Sequence, residues 1–387
     1  MTLIKIHDRT ESMNFLNKYQ KNSLDIGGLK LNFQRTCRVP QGKINSLPAG
    51  LGEFPLFRVS DFRSGAPKHW NEESYFFPMY RQEAMWINFE RWYSGNPKAL
   101  VVAAGNINAI SGKPFDLSKN MVDKKRKNHK EGELVVKLEK DQNYLVVPPQ
   151  PWLDGWKSED GKIYQFVAAE LGSGETVEGQ ITGEESVGGI QLIVYDPKPG
   201  QKLIRETRPN EYMSGGSWEG FDMSVGDVHP FMEKGMFMSS MILSDSYSGI
   251  MCRSSTPRAR SRSVSINSVS AVRDMGLGKG GEIEQKIYPD PYGIDVWNKD
   301  PRETVRLHLV SSEDFKQITG HDAPKTPVTY EKYQELGLPW FELYDNKYKD
   351  TKGSGIFDKL KPVGEGKAQT KDGKIVKANK DWVAKFK

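Results

Sequence analysis

A chain of 387 residues suits one large domain or two ordinary ones, and its 37% apolar content is low, but 11% aromatic residues supply enough large side chains for a real core. Cys37 and Cys252 make neither a disulfide framework nor a zinc quartet, the charged N-terminus "MTLIKIHDRTESM" has no secretory apolar stretch, and nowhere do roughly 18 apolar residues run together as a membrane helix needs. A cytoplasmic protein is the expectation. The net charge of +5 is local, because residues 349–387 carry eleven Lys against five acids, and so it says little about what the body binds.

In chain order, "ESMNFLNKYQKN" (11–22) places Met13, Leu16 and Tyr19 on one helical face behind Thr10 as a cap. "LKLNFQRTCRVP" (29–40) alternates Leu29, Leu31 and Phe33, the pattern of a half-buried strand. "ALVVAAG" (99–105) and "NYLVVPP" (143–149) are short apolar strands stopped by Gly or Pro. "YQFVAAEL", "ETVEGQIT" and "GGIQLIVYDP" read as a series of strands with Gly-rich turns between them, and "TVRLHLVSS" (304–312) alternates Val305, Leu307 and Leu309. Helices are few. Ser311, an acid three residues on and Gly320 bound a short one, and "TYEKYQELGLPW" (329–340) carries another, ended by Gly337 and Pro339.

Short strands at close spacing, with 37 Gly and 22 Pro, predict a mainly β fold: sandwich- or barrel-like antiparallel sheets with a few short helices. The expected organisation is an N-terminal segment 1–28, a β-rich core 29–346 and a basic tail 347–387. The core is one unit or two tightly packed subdomains, with insertions near 119–133 and 232–270. Segments 119–133, 252–270 and 349–387 hold too few apolar groups to order themselves alone, and the tail is expected to be mobile.

Cofactor motifs are scarce. Gly172-x-Gly174 resembles a phosphate loop, but no third Gly follows, and "ETVEGQIT" is rich in β-branched residues where a helix would have to start. A hairpin corner is the expected structure, and "GEESVGG" (183–189) reads as a second one. His7, His69, His129, His229, His308 and His321 never fall at metal-ligand spacing, and Glu219, Asp222 and Asp227 lack the spacing of a calcium loop. No cofactor and no metal are expected. No Gly-x-Ser-x-Gly elbow occurs, and Cys37 reads as an ordinary strand cysteine.

Two blocks set acids among aromatic rings: Trp152, Asp154 and Trp156 in "QPWLDGW", and Asp290, Tyr292, Asp295 and Trp297 in "IYPDPYGIDVW". Rings stack on the apolar face of a sugar and carboxylates bond its hydroxyls, so these residues are the candidate ligand-binding set. The same residue types also build turns and cover core edges. Ser261, Ser263 and Ser265 follow arginines in "RARSRSVS", as a phosphorylated regulatory loop would. "KKRK" (124–127) reads as a solvated basic face, and "MFMSSMI" (236–242) as core filler or an adaptable surface.

The blocks "LNFQRTCRVP", "LPAGLGEFPLFRV", "FFPMYRQEAMWINF", "VVPPQPWLDGW", "VEGQITGEESVGGIQLIVY", "MGLGKGGEIEQKIYPDPYGIDVW" and "GLPWFELYD" together resemble a family of bacterial and microbial-eukaryote proteins with no known activity, over most of residues 29–346. The resemblance implies a compact β core with decorated loops and carries over no catalytic residue. Some of its members bear the label of integral membrane protein, which the absence of a spanning segment contradicts here. The expected function is a non-enzymatic structural or interaction protein, self-assembling through β edges and an aromatic surface, with itself or another protein as partner. The alternatives are a carbohydrate-binding or glycan-acting protein and a binder of RNA or anionic surfaces through 349–387.

Overall fold

A computed structural model describes residues 18–89, 96–115, 134, 136–201, 203, 272, 274–323, 329–341 and 349–364, and the backbone of 377–378. The chain is mainly β. Among the described residues one sixteen-stranded sheet dominates, and no helix is long and apolar enough to cross a membrane. The strands that position the sites are β1 (Leu24–Ile26), β2 (Leu29–Thr36), β3 (Ile44–Asn45), β4 (Tyr75–Pro78), β5 (Ala84–Phe89), β6 (Lys98–Ala104), β7 (Ile107–Asn108), β8 (Leu145–Val147), β9 (Trp152–Leu153), β10 (Gly155–Lys157), β11 (Lys162–Glu170), β12 (Ile190–Tyr195), β13 (Asp274–Glu284) and β14 (Glu303–Val310). Their order is β1-β2-β5-β11-β13-β14-β12-β6-β7, with β8 on β6, β9 on β5, β10 on β11, and β3 and β4 pairing in parallel with β13 and β14.

The sheet is continuous yet joined at narrow points. β5 and β11 share only the pairs Phe166–Met85 and Val167–Ala84, and β13 and β14 share only Asp274–Val310 and Met275–Leu309. On one side β14 pairs with β4 over residues 307–310. On the other it pairs first with β12, up to Leu307–Ile190, and then with β13 from Leu309. His308 therefore sits where β14 changes partner.

Alternation places Leu29, Leu31 and Phe33 of β2 and Val305, Leu307 and Leu309 of β14 in one apolar core, which draws side chains from Leu24 to Leu360. Each fully buried Leu or Phe contributes roughly 1.5–3 kcal/mol. β2 departs from the expected half-buried strand. Its other face is also covered, and Gln34, only 4% exposed, satisfies its buried amide by donating to Asn32 at 2.8 Å. Two further clusters lie outside this core, one around Tyr195 and Trp297 and one around Phe57, Trp70 and Phe315.

The short helices are α1 (Val177–Thr182), α2 (Ser312–Thr319) and α3 (Tyr330–Glu335). α2 and α3 start and stop as the sequence predicts. Ser311 and Thr329 cap their N-termini, and Gly320 closes α2 in the left-handed region. α1 overturns the hairpin expected after Gly174. Thr176 accepts from Gly179 N, Gly183 closes the helix at φ +85°, and Val177 to Gln180 are buried. The β-branched residues that suggested a strand are outweighed by this cap and by tertiary partners.

The mobile-tail expectation fails for residues 349–364, which dock on the body through Phe357, Leu360 and Val363, all under 9% exposed. The aromatic surface is also corrected. Trp70, Trp86, Trp156 and Trp297 are fully buried, and Ile44 is the one exposed large hydrophobic side chain among the described residues. Most of the 11–22 helix, the insertions 119–133 and 232–270, the acids Glu219, Asp222 and Asp227, and Ser261, Ser263 and Ser265 lie outside the described residues.

Candidate functional site

The two aromatic–acid blocks do meet. Gln150 donates to Trp152 O and Lys286 O and accepts from Tyr288 N, while Gln285 accepts from Asp154 N and donates to Trp152 O. Asp154 and Asp290, however, turn inward. Asp154 is 1% exposed and takes the indole N–H of Trp152 at 2.6 Å. Asp290 accepts from Tyr144 Oη and Trp297 Nε1, both at 2.7 Å, and from Tyr292 N. Trp156 stacks at the centre of the main core and donates to Gly278 O, and Trp297 is buried against Tyr195 and Val101. Neither ring has a face free for a sugar. Trp152 and Tyr292 are partly exposed, and Asp295 is exposed. These blocks are clasps that fix a loop to the sheet, with a carboxylate consuming aromatic N–H and O–H donors.

Residues 172–189 hold two buried carboxylates, Glu178 and Glu185. Glu185 accepts from Gly172 N, Gly174 N, Thr176 N and Thr176 Oγ1. The Gly-x-Gly turn that looked like a phosphate cradle is thus filled by the chain's own carboxylate. Glu178 accepts from Ser186 N, Val187 N and Gly188 N at 2.7–2.9 Å. Burial pushes its carboxyl up to about 7 against the pull of those donors, and nearby Glu185 adds to the rise. The loop returns to the sheet through Gly189, at φ +56°, where a Cβ would lie 2.3 Å from Leu307 O.

Beside that crossing lies a polar relay. His308 Nδ1 is 2.9 Å from Asp274 Oδ2, and its Nε2 is 3.2 Å from Ser74 Oγ. Asp274, His308 and Ser74 are 2%, 4% and 3% exposed. Strand pairing holds two of them, Asp274 at the start of β13 and His308 on β14 opposite Phe76 of β4, and Ser74 immediately precedes β4. Trp70 stacks on the imidazole with centroids 4.1 Å apart and planes 11° apart. Partly buried Arg306 lies in the field of both Asp274 and Glu178, and burial lowers its pKa while the two acids raise it. Asp274 Oδ1 and Trp70 Nε1 are buried without a protein partner.

Residues 349–364 form a third feature. Lys157, fully buried, pairs with Asp350 at 2.6 Å. Tyr164 donates to Asp358, Lys279 lies 3.9 Å from the Tyr164 ring centroid and donates to Leu360 O, and Gln180 and Lys361 exchange two bonds. Val363 N bonds to Lys279 O, Arg38 donates to Val363 O, and Gly364 N donates to Glu175. Gly278 permits the crossing, since a Cβ there would sit 2.3 Å from Val363 Cγ2.

Cys37 packs with Ala49 and Tyr333, and burial pushes its thiol up to about 12, well above the range of a reactive thiolate. Among the described residues no three His, Cys, Asp or Glu side chains are placed to hold a metal ion. Neither a family model, nor a curated protein, nor a solved structure matches this chain. The relay escaped sequence reasoning because its members stand 34 and 234 residues apart. The one local signal was a histidine on the polar phase of the alternating strand "TVRLHLV".

Proposed function

We propose that the chain is a structural or interaction protein that associates through chain segments laid against its sheet. The observation that carries this reading is the docking of residues 349–364. This piece of chain, which includes a short 3-10 helix (Phe357–Lys359), is held on β10, β11 and β13 by buried apolar anchors, main-chain bonds and the Lys157–Asp350 pair. Such a mode supplies affinity through main-chain bonds and specificity through side-chain pockets. It replaces the aromatic surface as the route to self-assembly, because the described aromatic rings are largely spent inside the cores.

The test is the solution mass of the full chain at physiological salt, by size-exclusion chromatography with light scattering over a range of concentrations. A defined assembly larger than one chain is expected. Deleting residues 349–387 reduces it if this segment reaches between copies, and leaves it intact if open strand edges do the work. A single-chain mass at every concentration overturns the self-assembling form of the proposal.

A further inference from the structure

The Ser74–His308–Asp274 relay does something that the interaction reading neither needs nor explains. Its contacts run in the order a base relay requires: carboxylate on Nδ1, hydroxyl on Nε2. With the proton on Nδ1, facing the carboxylate, the Nε2 lone pair faces the hydroxyl. Stacked Trp70 fixes the ring plane, and strand pairing fixes the backbone of Asp274 and His308. A buried histidine needs a partner at each nitrogen, and here the two partners are a carboxylate and a hydroxyl, with an indole on the ring face.

The proton count shows two states. Ser74 Oγ lies 2.5 Å from Asn71 O, and a carbonyl can only accept, so the hydroxyl proton goes there or to His308, not to both. With the proton on Asn71 O, Nε2 can only donate to Ser74, and the cluster is inert. With the proton turned to Nε2, the ring accepts it and Ser74 is primed. The choice rests on one exposed turn, because Asn71, Glu72 and Glu73 are all at the surface and Ser74 is the first buried residue behind them. Ser74 N also bonds to Asn71 O, so the turn is closed locally. Two orphan polar atoms, Asp274 Oδ1 and Trp70 Nε1, flank the ring and mark the spot as polar.

We infer that Ser74 is a nucleophile acylated by small esters, with His308 as its base and Asp274 as the residue that positions it. In this reaction Oγ attacks the carbonyl carbon while its proton passes to Nε2. The C–O bond of the ester then breaks, and the leaving alcohol takes the proton back. Water repeats the sequence on the acyl-serine and releases the acid, so ester and water become acid and alcohol.

The test treats the full chain with a small fluorophosphonate, in which the Oγ–P bond forms as fluoride leaves, and reads intact mass followed by peptide mapping. One adduct per chain on Ser74 is expected. Ser74→Ala abolishes it, and His308→Gln slows it at least ~100-fold, the usual scale for loss of a general base. Asp274→Asn slows labelling and changes the shape of its pH profile, which a packing role would leave alone. Near-ultraviolet circular dichroism checks that each variant is folded. Absence of an adduct on the folded wild-type chain, an equal adduct on Ser74→Ala, or undiminished labelling of His308→Gln would each overturn the assignment.

Discussion

The loop at 172–189 and the loop at 287–297 both spend carboxylates on internal hydrogen bonds, and they use them in opposite ways. In the first, Glu178 and Glu185 gather six main-chain N–H groups, with the Thr176 and Ser186 hydroxyls besides, and so shape a turn that has few side chains of its own to pack. In the second, Asp290 gathers the polar tips of Tyr144 and Trp297, and the rings rather than the backbone carry the packing. A glycine-rich stretch has bare amides to satisfy, and an aromatic-rich stretch has indole and phenol donors to satisfy. In both cases a group that resembled ligand-binding equipment is consumed internally.

Glu185→Ala is the sharpest way to break this comparison. It leaves three buried donors and one part-buried donor unpaired and is expected to cost about 4 kcal/mol, read by denaturant unfolding. If the loss stays below about 1 kcal/mol, the amides have other partners and the loop does not depend on its carboxylate.

Glu178 sharpens the comparison through pH. Its folded-state pKa is raised from 4.5 to about 7, so the folded chain holds this proton more tightly than the unfolded one. Its contribution to stability is fully present below pH 4.5 and is lost as pH rises to about 7, a span worth of order 3 kcal/mol at ~1.4 kcal/mol per unit. Glu178→Gln removes that slope, and unfolding curves for wild type and variant across pH 4 to 8, a range that brackets both states, give the comparison directly.

Asp290→Asn should cost about 2 kcal/mol, because the charge-assisted bonds to Tyr144 and Trp297 become neutral ones while both rings stay packed. Trp297 fluorescence should shift with it. Trp152→Phe should do least, about 1 kcal/mol, since the ring is only partly buried and a single bond to Asp154 is lost. An effect of Trp152→Phe larger than that of Asp290→Asn would mean that these clasps stand on ring packing rather than on their acids.

Much of the frame was legible in the sequence. The alternation in 29–33 and 305–309 identified core faces, because burial on a pleated strand repeats every second residue. Ser311, Thr329 and Gly320 marked helix ends, because a cap is a contact between near neighbours. The aromatic–acid blocks were found, but their orientation was not, since a ring facing a core and a ring facing a sugar have the same spelling.

What the sequence by itself determined is therefore what short-range physics controls: strand period, helix caps, turn glycines and the mainly β class. The tertiary structure alone decided the rest. It made 177–182 a helix by giving it a cap and a buried face, and it ordered 349–364 by offering Lys157, Tyr164 and Lys279 as partners. It also assembled Ser74, Asp274 and His308 where β14 changes partner. Each of those outcomes depends on hydrogen bonds or burial that a local window cannot contain, because the partners meet only after the sheet has formed.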